Sequence, residues 1–171
     1  MMRKKPMLAY PVSDKPIDYS KPTFIQPKLD GVRCLIQTDP YKIKVVAYSR
    51  TGKEWKNIEH ILAQLKSFFA KYPNVILDGE LYNHDLRDDF GKIISLVRKT
   101  KPTDEDRVEA SKKTQFHCYD IIDETLTFEE RNSFNVFNTV ITWYSLFNKL
   151  ISIFKVHIFI YNIITMKLCQ F

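Results

Sequence analysis

With 171 residues, 44% of them hydrophobic and 13% aromatic, the chain is long enough for one domain with its own core, which excludes a disordered polyelectrolyte. Its formal net charge of +6 suits a polyanionic partner such as nucleic acid without requiring one. Cys34, Cys118 and Cys169 are too widely spaced for a metal-ligand pair or a disulfide framework, which suits a reducing, cytoplasmic setting. The basic start "MMRKKPMLAY" lacks the apolar run of a signal peptide, because Pro6, Tyr10 and Pro11 interrupt it.

In chain order, strand-like runs fall at 32–37, 43–48, 75–82 and 116–122. Between the second and third, Ile58, Ile61, Leu62, Leu65, Phe68 and Phe69 recur at helical spacing and predict a helix over 58–72, with Asn57 as its cap and Pro73 after its end. A second helix is predicted at 89–99, with Asp88 and Asp89 at its positive end and Arg98 and Lys99 at its negative end. Phe90, Ile93, Ile94 and Val97 form its expected buried stripe. Strands mixed with helices on no strict βαβ schedule predict an α+β domain with mixed, largely antiparallel sheets and packed helices.

The composition changes after Arg131: residues 132–171 contain no acid, glycine, proline or arginine. Asn148, Lys149, Lys155, His157 and Asn162 break up any long apolar window, so membrane contact is not expected. The segment reads as an atypical apolar tail of the kind a frameshift in A/T-rich DNA produces, expected to be poorly ordered, a makeshift helix or a cause of aggregation and to be trimmed first by proteases; a long amphipathic helix on a membrane or partner is the alternative.

Four short stretches carry chemistry. In "KLDGVR", 28–33, a lysine and an aspartate share a face of an extended chain with Arg33 opposite, and a turn or bulge at Gly31 can re-aim them. An amine attacks only when deprotonated, which needs desolvation or neighbouring cations, and a polyphosphate needs cations such as Arg33. A surface ion-pair cluster fits the hexapeptide equally well. In "VILDGELY", 75–82, alternation puts Leu77 and Leu81 on one face and Asp78 and Glu80 on the other, emerging at the end of an apolar run. Such a carboxylate pair can bind ribose hydroxyls or a metal's water shell; a solvated strand face is the plainer alternative. "YSRTGKEW", 48–55, carries Arg50 and Lys53 around Gly52, either a phosphate site or a basic hairpin turn. "FHCYDII", 116–122, offers Tyr119 for stacking on a base or for the core.

In this order, K-x-D-G-x-R at 28–33, S-R-T-G-K at 49–53, D-G-E-L at 78–81 and Y-D-I-I at 119–122 resemble the ATP-dependent DNA ligases of the covalent nucleotidyltransferase superfamily. "KPMLAYP" near the start and "DDFGKIISLVRK" at 88–99 look like the compact ligases of viral or prophage type. The resemblance makes residues 1–131 a partial adenylation domain. It implies that Lys28 attacks the α-phosphorus of ATP, that AMP passes from Lys28 to the 5′-phosphate of nicked duplex DNA, and that the nick's 3′-hydroxyl displaces it. It further implies Asp30 and Arg33 on the ribose and phosphate side, Glu80 at ribose or at the waters of Mg²⁺, Tyr119 stacked on adenine and Gln26 beside the base. Arg50 and Lys53 become DNA contacts, and no obligate protein partner is implied.

Two departures accompany it: after Arg131 the chain has neither the family's later E-G glutamate nor its K-x-K strand, and the small OB-type domain is missing. Impaired sealing is therefore expected. An RNA ligase or mRNA-capping enzyme shares the lysine motif, although D-G-E-L-Y with S-R-T-G-K suits a DNA ligase better. A non-catalytic nucleotide- or DNA-binding fragment is the third reading.

Overall fold

The computed structural model describes residues 6, 8, 11, 13–18, 20, 26, 28–41 and 43–133. The expected apolar tail lies outside the described residues from 134 onward. The chain divides into two units, Leu29–Thr125 with Met1–Pro6, and Met7–Lys28 with Leu126–Phe171.

The first unit is built on a four-stranded antiparallel sheet. Its strands are β1 (Val32–Thr38), β2 (Val45–Tyr48), β3 (Leu77–Tyr82) and β4 (Gln115–Ile121), in the order β2-β1-β3-β4. The α+β expectation holds. β2 is shorter than the apolar run 43–48 implies because Asp39 Oδ1 accepts from the Ile43 amide at 2.8 Å, keeping Ile43 in the β1–β2 turn, where it is 83% exposed. After β2 the chain reverses over Ser49–Lys53: the Gly52 amide donates to Ser49 O and the Lys53 amide to Ser49 Oγ, with Gly52 at φ 86°. Only glycine takes that φ without strain.

The helix expected over 58–72 forms as α1 (Glu59–Gln64) and α2 (Lys66–Lys71), interrupted at Leu65. Asn57 is not its cap. Ile58 occupies that position without a side-chain bond, and Asn57 is instead fully buried, its Nδ2 donating to Leu96 O at 2.9 Å and Asp106 O at 3.4 Å. An amide can satisfy carbonyls inside a core, so tertiary packing outweighs its capping preference.

The second predicted helix is α3 (Phe90–Val97), capped by Asp89, whose side chain accepts from the Lys92 amide. Its buried residues are Ile93, Leu96 and Val97, whereas Phe90, expected in the stripe, is 37% exposed at the first turn. A further helix, α4 (Asp104–Lys113), was not anticipated. Its one large apolar residue, Val108, is 52% exposed and only Ala110 is buried, so it has no apolar stripe to read. It starts instead from a capping box: Thr103 Oγ1 accepts from the Asp106 amide while the Asp106 carboxylate accepts from the Thr103 amide.

The core gathers Cys34, Ile36, Ala47, Leu77 and Leu81 from the sheet and Ile58, Ile61, Ile93, Leu96 and Val97 from the helical segments. On β3, Leu77, Gly79 and Leu81 share one face, leaving Asp78, Glu80 and Tyr82 on the other.

In the second unit, the Pro11 carbonyl accepts from the Asp14 and Lys15 amides. Residues 128–133 are helical. Thr127 opens that helix, its Oγ1 accepting from the Glu130 amide while Glu130 Oε2 accepts from the Thr127 amide. Arg131 is buried and donates to Leu126 O at 2.8 Å.

Candidate functional site

The register of the sheet assembles the site. Arg33 on β1 lies opposite Glu80 on β3, and directly paired residues of antiparallel strands project to the same face. On the other side of β3, Glu80 pairs with His117, but between Asp78 and Gly79 the register shifts: Gly79 pairs with Cys118 and Asp78 with Asp120, leaving Tyr119 as the extra residue of a bulge. Without the bulge, strict alternation would turn Asp120 away from Tyr119. With it, both lie on the face of Asp78 and Glu80.

On this face the Arg33 guanidinium grips Asp78 with a two-pronged fork, Nε to Oδ1 at 2.6 Å and Nη2 to Oδ2 at 2.5 Å. The Asp78 side chain is 4% exposed and that of Arg33 23%. Arg33 Cζ also sits 5.1 Å from the Tyr119 ring centroid, within cation–π range. Tyr119 in turn donates its hydroxyl to Glu80 Oε2 at 3.4 Å. Asp78, Arg33, Tyr119 and Glu80 thus form one connected chain of contacts across three strands.

The electrostatics follow from burial. Burial pushes the Asp78 carboxyl up, Asp120 adds to the shift, and the Arg33 fork opposes it. Burial disfavours the Arg33 cation, but the hydrogen bond and charge of Asp78 outweigh it and hold the guanidinium charged. The Tyr119 hydroxyl is raised by burial and by the charge of Asp78, so it remains a neutral donor. Burial, then His84, lowers His117 and keeps it neutral.

The structure therefore brings Arg33, Glu80 and Tyr119 together. Asp78 and Glu80 share a face as their spacing implied, but they are the second and fourth residues of β3 rather than its end, and Arg33 engages both oxygens of Asp78. Asp30 is exposed, just ahead of the bend at Gly31. At Gly31 the close approach is made by β3 rather than left open: an added Cβ would lie 2.4 Å from Leu81 O and 2.8 Å from Glu80 Cγ. Arg50 and Lys53 are both exposed in the turn after β2. Exposed Lys28 and half-buried Gln26 belong to the second unit. Asp120 and His117 were missed as members of this face, since Asp120 arrives through the bulge and nothing in "FHCYDII" announces one.

Among the described residues no group of three or more His, Cys, Asp or Glu side chains could hold a metal ion, and no helix is long and apolar enough to cross a membrane.

One face of this helix-backed antiparallel sheet thus carries a cation, three carboxylates and an aromatic ring. The chain matches the family described as "ATP dependent DNA ligase domain" over residues 6–142, most of its length, and it belongs to that family. Among solved structures it is similar to "Pmar-Lig_Pre.", with 21% identity, TM-score 0.55, and coverage of 83% of this chain and 32% of that one. A second, "Pmar-Lig_PreS3", gives 22% identity, TM-score 0.49, and coverage of 71% and 28%. The former supports the fold. This chain spans about a third of the length of the structures it matches. A search of the curated proteins gives no match.

Proposed function

We propose that the chain provides the nucleotide-handling part of an ATP-dependent DNA ligase, residues 1–131 forming a partial adenylation domain followed by an atypical apolar segment, with nick sealing impaired. Lys28 is its nucleophile: the amine bonds to the α-phosphorus of ATP and pyrophosphate leaves. The lysine-bound AMP then passes to the 5′-phosphate of a DNA nick, which splits one difficult condensation into easier steps. Asp30 and Arg33 serve the ribose and phosphates, Glu80 the ribose, Tyr119 the adenine face and Gln26 the base edge. Arg50 and Lys53 contact DNA phosphates, giving a salt-sensitive affinity.

Mg²⁺ fits this arrangement in its usual manner, keeping several waters and meeting one or two carboxylates together with phosphate oxygens. Arg33 occupies both Asp78 oxygens, so Glu80 is the carboxylate suited to such waters. Bound there, the ion would screen charge on the phosphates.

The observation that carries the reading is the family match over 6–142, on a sheet face that joins Arg33, Glu80 and Tyr119. Intact-mass spectrometry after incubation with ATP and Mg²⁺ tests it. One adenylyl mass is expected on the wild type and none on Lys28→Ala, and labelling by GTP in place of ATP would favour a capping-type enzyme. Absence of any label, together with a gel shift of nicked duplex, would replace the proposal with a non-catalytic DNA-binding domain.

A further inference from the structure

We propose that Asp78 is a positioning residue that fixes the orientation of Arg33, and through Arg33 the Tyr119–Glu80 pair, before a nucleotide arrives. This rests on the nucleotide-site reading above. Asp78 gives both oxygens to Arg33 and its side chain is 4% exposed, so it acts on a ligand through the guanidinium rather than by contact. The fork matters because Arg33 has a long, rotamer-rich side chain whose freedom is costly to lose at the moment of binding. A planar guanidinium held bidentately has lost that freedom already. The Arg33 cation is thereby set 5.1 Å from the Tyr119 ring centroid, and the same ring donates to Glu80. One buried carboxylate therefore orders three groups of the ligand-facing surface. The bulge completes the arrangement by pairing Asp120 with Asp78, adding negative charge behind the fork.

The experiment compares Asp78→Asn, Asp78→Glu, Arg33→Lys, Arg33→Ala and Arg33→Ala/Asp78→Asn in the full chain. ATP–Mg²⁺ affinity is measured by calorimetry, and the Arg33 Nε–H signal is followed in protein labelled with ¹⁵N-arginine. Charge-assisted hydrogen bonds of this kind imply a loss of roughly tenfold in ATP affinity for Asp78→Asn. The Nε–H exchanges slowly in the wild type and rapidly in Asp78→Asn. In the Arg33→Ala background, Asp78→Asn should add less than about twofold, because a residue acting through another has no effect once that other is gone. Arg33→Lys, which keeps the charge and loses the fork, should match Asp78→Asn even if the latter folds poorly, and Asp78→Glu should recover part of the affinity. An undiminished Asp78→Asn effect without Arg33, or an equally protected Nε–H in Asp78→Asn, overturns the positioning role while leaving nucleotide binding intact. Failure of the wild type to bind ATP overturns both.

Discussion

Gly31, inside the lysine motif, offers a direct test of how that motif is packed. In Gly31→Ala the new methyl carbon would lie 2.4 Å from Leu81 O, 2.8 Å from Glu80 Cγ and 3.1 Å from Tyr82 Cβ. The Leu81 carbonyl belongs to a residue buried in the middle sheet region and would have to retreat beyond 3.0 Å, so backbone must move. Overpacking of this kind costs about 1–3 kcal/mol. For a chain of this size each kcal/mol lowers Tm by about 2–4 °C, which gives an expected drop of about 2–12 °C. Gly91→Ala is the matched control: in α3 its nearest contact is Asp89 Oδ1 at 3.6 Å, and the substitution removes a flexible residue from a helix. It should stabilise by about 0.5–1 kcal/mol. Thermal unfolding by circular dichroism at one scan rate reads both. If Gly31→Ala melts within about a degree of the parent, or no lower than Gly91→Ala, the packing of β1 against β3 inferred here is wrong. Because Glu80 is among the displaced atoms, Gly31→Ala should also weaken adenylylation of the fraction that remains folded.

Four further outcomes are expected. The Glu109 carboxyl is held at about 2 by hydrogen bonds from Lys92 and Lys113, so its folded value lies below the ordinary 4.5. Its contribution is present above that value and is lost as pH falls toward 2, so the gap in urea midpoint between wild type and Glu109→Gln should be open at neutral pH and close in acid. His117, lowered by burial and His84, acts in the same sense: the unfolded chain takes up its proton first, so stability should fall as pH drops through 6.5, and His117→Gln should flatten that part of the profile. Cys34 is buried and its thiol is raised well above its ordinary value, so it should react with a disulfide reagent only once urea unfolds the sheet, whereas half-buried Cys118, its thiol pushed up to about 12, should react slowly in the folded chain, as peptide mapping would show. Thr103→Ala removes the α4 cap and should cost about 0.5–2 kcal/mol, read as a lower urea midpoint.

How much of this was legible beforehand divides along a physical line. Period-two alternation is local, so "VILDGELY" by itself determined that Asp78 and Glu80 share a face with Leu77 and Leu81 behind them. The apolar spacing of 58–72 and 89–99, and Asp89 at the head of α3, are local in the same way. What a chain segment cannot state about itself is its partner. Asn57 follows its capping preference until Leu96 and Asp106 present carbonyls to it inside the core. Phe90 counts as stripe until the helix docks and leaves it at the exposed first turn. The α4 helix has too little apolar surface to announce itself and is set by its cap and its place against α3.

The site divides likewise. The residue types were present in the short motifs, but their joining was decided by register: Arg33 meets Asp78 and Tyr119 only because β1 and β4 flank β3, and Asp120 joins them only through a one-residue bulge. A ladder slipped by one residue would turn each of these side chains to the opposite face. Pairing between distant strands excludes that slip, so it was for the tertiary structure to decide.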